Sequence, residues 1–399
     1  MSWEIKRLSD CCVSIADGDH QAPPKANSGI PFVTISNINA ANQFDFTDTM
    51  FVPQEYYDRL DSKRKAQKGD ILYSVVGSFG IPVYMKETIP FVFQRHIAIL
   101  RPNETILPQF MYYTMLSRDF YMMADAAALG AAQRTVSLTA LRNMKIAVPP
   151  LKVQKKIVDV LSVYDDLIEN NQKQIKLLEE AAQRLYKEWF VDLRFPGHET
   201  TPIVDGVPEG WERNTINSII DLQSGFAFKS TDFCESGTYK IVTIKNVQDG
   251  LFDGQNVSRI DAIPARMPAH CRLGDGDVLL SLTGNVGRVC VVNGQNYLLN
   301  QRVAKIKSDY PAYAYCLFRS SDMFTAMGNL ANGAAQQNLS PIKTGQIKIL
   351  IPPFSLLIRF EETASAYMKQ MLTLNKQIEL LQQARDRLLP KLMSGEIEV

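Results

Sequence analysis

The sequence lacks the short motifs on which most nucleotide-using and metal-dependent enzymes rely. No Gly-Lys dipeptide occurs in the 399 residues, which excludes a P-loop lysine, and no GxGxxG follows a strand to open a helix. The six cysteines form no CxxC pair and the four histidines lie far apart, so no metal site is expected. Scattered thiols of this kind favour the reducing cytoplasm. No apolar run approaches about 18 residues and the first ten residues contain no apolar signal core, so neither a membrane segment nor an export signal is expected.

Two weak resemblances to enzyme motifs also fail on their chemistry. Residues 148–151 (VPPL) and 351–354 (IPPF) resemble the tetrapeptide of amino-methyltransferases, but that motif needs a polar first residue to hydrogen-bond the target amine. A strand-to-helix turn is the favoured interpretation of both. The triplets at 4–6 and 61–63 resemble half of a nuclease metal site, but neither has a Pro-Asp upstream. We therefore predict that this chain has no catalytic residue.

The overall charge is close to neutral, at +1, so any surface that attracts polyanions must be local. A hydrophobic content of 46 % is enough for sizeable cores. At this length, two domains with connecting structure are the expected organisation.

The most regular stretch is a long helix predicted over residues 151–193. Its seam residues are spaced alternately by four and three, which is the heptad pattern of a coiled coil. Asn171 is the only polar residue among them, and a single buried asparagine often aligns paired helices. About 40 residues at roughly 1.5 Å each would form a rod of about 60 Å. The seam comprises Ile157, Leu161, Tyr164, Ile168, Asn171, Ile175, Leu178, Ala182, Leu185 and Trp189.

The partner helix lies near the end of the chain. QIELLQQARDRL at 377–388 repeats QIKLLEEAAQRL at 174–185, an offset of 203 residues. The same offset places a second seam that is apolar except for Arg385, and Pro390 is expected to kink or separate its last turn. The second seam comprises Phe360, Ala364, Tyr367, Met371, Leu374, Ile378, Leu381, Arg385, Leu388 and Leu392.

The repeat extends over nearly the whole chain, which indicates a tandem duplication and a pseudo-two-fold monomer. The matched segments are Trp3-Glu4 with Trp211-Glu212, 33–38 with 242–247, 69–74 with 276–281, 77–80 with 284–287, Gln94-Arg95 with Gln301-Arg302, 130–137 with 333–340, and 145–151 with 348–354. The Pro- and Gly-rich stretch at 196–211 separates the copies.

Each copy is predicted to be a mixed α/β (α+β) domain that is followed by its long helix. A helix is expected from Pro108 to about Ser117, and Ser137 and Ser340 are expected to cap short helices. His96 is expected within a strand, as a core residue. The predicted strands are 31–38, 70–76, 81–85, 91–100 and 145–148 in the first copy, and 240–246, 277–283, 288–292 and 297–306 in the second.

Several polar residues could contact DNA. A solvated loop is the favoured interpretation of His20, and a solvated helix face explains the cluster of Lys63, Arg64 and Lys65 as well as phosphate contact does. Gln, Asn and Arg suit base edges in the major groove, and clustered Lys and Arg suit phosphates. Residues that recur in both copies favour loop structure or phosphate positioning, whereas those that differ, such as His20, Lys25, Lys229 and the Gly225-Phe226 loop, favour sequence discrimination. The candidates are His20, Lys25, Lys63, Arg64, Lys65, Gln94, Arg95, Gln133, Arg134, Lys229, Asn285, Arg302, Gln336, Gln337 and Asn338.

Longer motifs carry a family resemblance. LYKEWFVDLRFPGHE at 185–199, PEGW at 208–211, LLPKLMSGEI at 388–397 and the paired VPPL and IPPF turns together resemble the specificity subunit of type I restriction-modification systems, over essentially the full length. The resemblance implies two target recognition domains held apart by two antiparallel helices, each domain reading one half of a bipartite DNA site.

The resemblance also implies the partners. Two methyltransferase subunits would dock on the helices and their ends, motor-nuclease subunits would join them, and S-adenosylmethionine, ATP and Mg²⁺ would act only in those partners. The implied divisions are recognition domain 1 at 1–150, central helix at 151–195, linker at 196–208, recognition domain 2 at 209–353 and C-terminal helix at 354–399. Residues expected at the coiled-coil or partner interface are Ile168, Ile175, Leu178, Leu185, Trp189, Phe190, Leu374, Ile378, Leu381 and Leu388.

Three alternatives stay open at this point. An active nuclease or methyltransferase would be revealed by activity of the chain alone. A coiled-coil scaffold that binds protein would lack salt-dependent affinity for duplex DNA. A subunit that serves methylation without restriction depends on the accompanying genes.

Overall fold

The computed structural model describes residues 3–39, 41–47, 49–130, 133–331 and 337–399. They form two compact units, unit 1 (Met1–Asp166 with Leu381–Val399) and unit 2 (Leu167–Leu380). The mixed α/β class predicted from the sequence is confirmed in both. No helix in these ranges is both long enough and apolar enough to cross a bilayer.

Unit 1 is built on a four-stranded sheet of order β2-β8-β5-β6 and a three-stranded sheet of order β4-β3-β7, with β1 paired to β9. Its strands are β1 (Glu4–Arg7), β2 (Cys12–Asp17), β3 (Ile30–Val33), β4 (Met50–Val52), β5 (Ile71–Ser74), β6 (Pro82–Tyr84), β7 (Val92–Phe93), β8 (Ile97–Pro102) and β9 (Lys145–Val148). Its helices are α1 (Gln54–Arg59), α2 (Pro108–Leu116), α3 (Arg118–Ala127) and α4 (Leu138–Asn143), followed by the first part of α5 (Leu151–Tyr186).

Unit 2 repeats this plan with sheets of order β13-β20-β17-β18 and β15-β14-β19-β16, and with β12 paired to β21. Its strands are β10 (Ile203–Val204), β11 (Val207–Pro208), β12 (Glu212–Thr215), β13 (Asp221–Ser224), β14 (Tyr239–Val242), β15 (Ser258–Ile260), β16 (Arg272–Leu273), β17 (Val278–Ser281), β18 (Val289–Val291), β19 (Tyr297–Leu299), β20 (Val303–Lys307) and β21 (Lys348–Ile351). Its helices are α6 (Pro311–Arg319), α7 (Ser321–Leu330), α8 (Pro341–Gly345) and most of α9 (Phe354–Met393).

The strands predicted at 91–100 and 297–306 are wrong as single strands. Each is two strands in two different sheets, joined by a three-residue turn at 94–96 in unit 1 and at 300–302 in unit 2. We call these the sheet-switch turns. The apolar run looked continuous because both strands are buried, although the chain changes sheets between them. His96 therefore lies in a turn and not in a strand, and it is half-buried.

The predicted seams are confirmed by burial, since every seam residue of both long helices is buried or half-buried. Within unit 2 the two helices run antiparallel: Nδ2 of Asn171 donates to Oε1 of Gln377 at 3.2 Å, and the ring of Tyr186 meets the ring of Phe360. The final residues of α5 continue as one π-helical turn at Lys187–Val191.

The last turn is not separated at Pro390, because α9 continues through it to Met393, and a kink there stays a prediction. A proline this close to the helix end removes one hydrogen bond only, and the flanking Leu389 and Leu392 are buried in the core of unit 1. The helix ends just before Gly395, which has a φ of 75° and at which a Cβ would lie 3.3 Å from the ring of Trp3.

The end of each long helix completes one core. Phe190 is buried in unit 2 against Trp211, Tyr313 and Phe360. Trp189 is half-buried and packs edge-on against Phe360. Both aromatic residues therefore pack against the adjoining domain and do not form an exposed surface for a partner.

Candidate functional site

Polar side chains from separate parts of the sequence collect at one edge of the four-stranded sheet in each unit. In unit 1, β2 ends, β5 ends and β8 begins at this edge, because Asp17 is opposite Ala98 and Ser74 is opposite Ile97. We call it the loop edge: residues 17–20, 75–80, 94–96 and 133–136 in unit 1, and 224–229, 282–287, 300–302 and 337–339 in unit 2.

Backbone hydrogen bonds tie the segments of the loop edge together. In unit 1, Val75 N donates to His96 O at 2.9 Å, and Val136 N donates to Val75 O at 2.8 Å. In unit 2, Leu282 N donates to Arg302 O at 2.9 Å, and Leu339 N donates to Leu282 O at 2.7 Å. The two edges thus share one backbone frame.

This frame corrects the alignment of the sheet-switch turns by one residue. Arg95 N donates to Asp19 O at 3.0 Å, and the bond at the same place in unit 2 runs from Gln301 N to Phe226 O, also at 3.0 Å. The structural counterparts are therefore Arg95 with Gln301, not Arg95 with Arg302. A Gln-Arg pair occurs in both turns one position apart, which conceals the true correspondence in the sequence.

Other hydrogen bonds support the same correspondence. Gln94 N donates to Val33 O at 3.2 Å and Asn300 N donates to Val242 O at 3.1 Å. It follows that Gln94 corresponds to Asn300 and His96 to Arg302, so all three positions of the turn differ between the units. The expectation that Gln-Arg recurs at matching places is wrong.

The close approach beneath each turn requires glycine. A Cβ on Gly18 would lie 2.3 Å from Phe93 O, and a Cβ on Gly225 would lie 2.2 Å from Asn300 O. These distances are far shorter than any real contact of a Cβ. Only a glycine therefore allows the loop to approach the turn this closely.

Residues that do recur in both units serve the loops themselves. The side chain of Asn37 accepts from Thr34 N at 2.9 Å, and that of Asn246 accepts from Thr243 N at 2.8 Å. Asp70 is fully buried and forms a two-pronged ion pair with Arg101, at 2.9 and 2.8 Å. The hydrogen bond to Asp70 raises the pKa of Arg101. These contacts agree with the expectation that recurrent polar residues build loop structure.

Several predicted contact residues of unit 1 are engaged by neighbours. His20 Nε2 lies 2.7 Å from Asp17 Oδ2, and the guanidinium of Arg64 lies 3.8 Å from both Asp17 and Asp19. Burial and the hydrogen bond to Asp19 raise the pKa of Tyr56 to about 12. The loop edge of unit 1 thus carries two carboxylates with their own cations.

Two further cationic side chains of unit 1, those of Arg134 and Lys65, already have partners within the unit. Arg134 donates through both Nη atoms to Asp125, and its guanidinium lies 5.4 Å from the ring centroid of Phe79. Lys65 donates to Asp58 O at 2.9 Å and lies 5.0 Å from the ring centroid of Tyr57. Their donor groups are consequently less available to a ligand.

The remaining predicted residues are mostly at the surface. Lys25, Lys63, Arg95, Gln133 and Lys229 are exposed, and Gln94 is half-buried. In unit 2, Asn285, Arg302, Gln337 and Asn338 lie on the loop edge and are exposed, and the amide oxygen of Asn338 accepts from Thr283 Oγ1 at 3.1 Å. Gln336 lies outside the described residues.

An open cleft of about 320 Å³ runs along the loop edge of unit 1. Arg95, His96 and Gln133 contribute to its lining, with Asp17 beside them. Burial, and next the charge of Arg95, lowers the pKa of His96, which favours its neutral form. His96 was expected to be a core residue and not a site residue, and in the sequence only its place beside Gln94-Arg95 indicates otherwise.

The helix residues that were predicted to lie at the coiled-coil or partner interface are buried or half-buried, so they are not exposed to a partner protein. Ile168, Leu374 and Ile378 are buried, and Ile175, Leu178, Leu185, Leu381 and Leu388 are half-buried in the helix seams or against the cores. Leu177 and Leu380 are instead 64 and 65 % exposed.

Comparisons with known proteins agree with the duplicated plan. The chain matches the family model described as "Type I restriction modification DNA specificity domain" at residues 1–180 and again at 208–379. It is 24 % identical to the type I restriction enzyme MjaIX specificity subunit of Methanocaldococcus jannaschii, over 85 % of this chain and 80 % of that one. It is 21 % identical to the HindI specificity subunit of Haemophilus influenzae, over 92 and 95 %.

A solved structure supports the fold. The S subunit of a type I restriction-modification system from M. genitalium superposes with a TM-score of 0.54 at 15 % identity, over 98 % of this chain and 96 % of that one. The family match covers far more than half of the sequence in two tandem copies. This chain therefore belongs to the type I restriction-modification DNA specificity family.

Proposed function

We propose that this chain selects the DNA target of a type I restriction-modification complex, with each unit reading one half of a bipartite site. The observation that carries the proposal is the loop edge, which occurs twice on one backbone frame with exposed donor groups that differ between the copies. Two loop edges with the same backbone arrangement and different side chains are suited to the recognition of two different short DNA sequences. Lys63, which is exposed, would contact phosphates, whereas Lys25 and Lys229, which are exposed and differ between the copies, would contribute to sequence discrimination.

The chain would act without chemistry of its own. Methyl transfer to adenine and DNA cleavage would belong to partner subunits, which bind S-adenosylmethionine, ATP and Mg²⁺. Adding these cofactors to the purified chain with duplex DNA should produce neither methylated nor cleaved product. Activity of the chain alone would overturn this part of the proposal.

The long helices would dock two methyltransferase subunits, with motor-nuclease subunits joining afterwards. Leu177 and Leu380 support this, because an apolar side chain about two-thirds exposed on a helix gains by burial against a partner. Leu177→Asp should reduce co-purification with the methyltransferase subunit, whereas Gln174→Asp, an exposed change on the same helix, should not.

The decisive experiment is co-expression with the methyltransferase subunit encoded nearest to this chain, followed by mapping of methylated adenines across the host DNA. A single bipartite motif with an unspecified gap is expected. Replacing residues 1–150 with the same region of a relative should change one half of that motif and preserve the other. A complex that assembles but methylates no motif would favour a protein-binding scaffold.

A further inference from the structure

The sheet-switch turns combine a shared backbone with different chemistry. Each turn forms the same backbone hydrogen bonds with the same neighbouring segments. Each also packs against a glycine, at a place with no room for a Cβ. The side chains are nevertheless Gln94, Arg95 and His96 in one unit and Asn300, Gln301 and Arg302 in the other. A rigid frame with variable side chains is the arrangement that sequence discrimination needs.

Arg95 and Gln301 stand at the matched central position of the two turns, and both are exposed. Neither side chain forms a hydrogen bond or an ion pair with any residue in the described part of the chain. Arg134, also on this edge, is engaged by Asp125 and Phe79. Among these guanidinium groups, that of Arg95 has its donors available.

The two side chains suit different bases. A guanidinium donates two hydrogen bonds to O6 and N7 of guanine, whereas a carboxamide donates to N7 and accepts from the N6 amino group of adenine. Both types of contact are made in the major groove, where the four base pairs are distinguishable. We propose that Arg95 reads a guanine in one half-site and that Gln301, from the same place in the other unit, reads an adenine in the other half-site.

The surroundings of Arg95 favour base readout over simple attraction to phosphate. It lines the open cleft with Gln133 and His96, next to Asp17, whose carboxylate is already paired with His20 and Arg64. A phosphate offers only acceptors, whereas base edges offer donors and acceptors, which suit the amide of Gln133 and the two-pronged guanidinium of Arg95 together. In unit 2, Arg302 adds a cation beside Gln301 where unit 1 has His96.

This inference rests on the proposed function and is tested in the same assembled complex. Arg95→Gln and Gln301→Arg are each combined with the methyltransferase subunit, and methylated adenines are mapped. Arg118→Gln serves as the control, because Arg118 is also exposed in unit 1 but lies on α3, away from the loop edge. Arg95→Gln should change one base pair in one half of the motif, and Gln301→Arg one base pair in the other half.

Binding to a panel of duplexes gives a second measurement that does not depend on methylation. Each duplex carries one altered base pair of the wild-type motif. The wild-type complex should prefer one pair at the Arg95 position by about 5- to 100-fold, and Arg95→Gln should abolish that preference alone. The preferences at all other positions should persist.

The outcomes separate this inference from the function on which it rests. If the wild-type complex methylates no bipartite motif, the proposed function fails. If it does so and Arg95→Gln leaves every base preference intact, or weakens binding to all duplexes evenly as the loss of a phosphate contact would, the assignment of Arg95 is overturned. The same criteria, applied to the other half-site, decide the assignment of Gln301.

Discussion

Arg385 forms an ion pair with Asp165, with Nη1 of the arginine 2.7 Å from Oδ1 of the aspartate. Arg385 is the one charged residue on the two predicted helix seams, and only about a fifth of either side chain is exposed, 18 and 21 %. Asp165 also accepts from the hydroxyl of Tyr113 at 2.7 Å. The polar interruption of the seam is therefore a network that joins α9, α5 and α2 within unit 1.

We expect Arg385→Met to lower the free energy of unfolding by about 2 kcal/mol, because it leaves the Asp165 carboxylate without its cation in a partly buried place. Urea denaturation followed by circular dichroism would measure the change. The double variant Asp165→Asn with Arg385→Met should be less destabilised, since no unpaired charge remains. Arg387→Met, an exposed change on the same helix, is the control and should be nearly neutral.

Replacement of Asn171 by leucine should raise the free energy of unfolding by about 1 kcal/mol. Asn171 is 6 % exposed, and its partner Gln377 is exposed and can bond to water instead. Burying a leucine gains hydrophobic free energy, and the chain connection aligns these helices without a polar pair. Asn170→Leu, on the exposed side, should have little effect; a loss of stability in Asn171→Leu would show that the asparagine is needed to align the helices.

Gly225→Ala should destabilise unit 2 by about 3 kcal/mol, because the added carbon would overlap Asn300 O and Leu299 O. It should also disturb the turn that carries Gln301. Gly328→Ala is the matched control: it lies within α7 with no atom within 4 Å of the new carbon, so alanine should stabilise the helix by roughly 0.5–1 kcal/mol. Thermal denaturation of both variants compares them, and equal stability would contradict the close approach at Gly225.

The stability of the chain should depend on His96 as the pH falls through and below about 6.5, the ordinary pKa of a histidine. Burial first, and the charge of Arg95 second, lower the native pKa of His96 below its ordinary 6.5. In this window the unfolded state binds more protons than the native state, so the free energy of unfolding falls as pH falls. His96→Gln should reduce this slope, measured as the difference between the variants in urea denaturation across the window. Parallel pH dependences would contradict the lowered pKa.

Much of the architecture can be predicted from the heptad spacing and the internal repeat of the sequence. The heptad spacing of 157–189 located α5 and its buried face, and the offset of 203 residues located the partner helix, because seam burial depends on residue type every three or four positions. The internal repeat likewise predicted two domains of one plan. Such patterns are local or directly comparable, so they need no coordinates.

The loop edges could not be predicted in this way. The break at 94–96 is concealed because strands buried in two different sheets have the same apolar composition as one longer strand. The correspondence of Arg95 with Gln301 was equally hidden. The pairs Gln94-Arg95 and Gln301-Arg302 are identical in sequence, whereas the structural counterparts, 94–96 and 300–302, share no residue.

Sequence alone thus established the duplication, the paired helices and the family resemblance, which all rest on patterns along one chain. Which polar groups remain available to a ligand was decided by folding. Arg134 and Arg64 meet carboxylates that are distant or unremarkable in the sequence, and Arg95 does not. The physical reason is that ion pairing depends on distances of a few ångströms between side chains, and those distances arise only when the strands and loops are assembled.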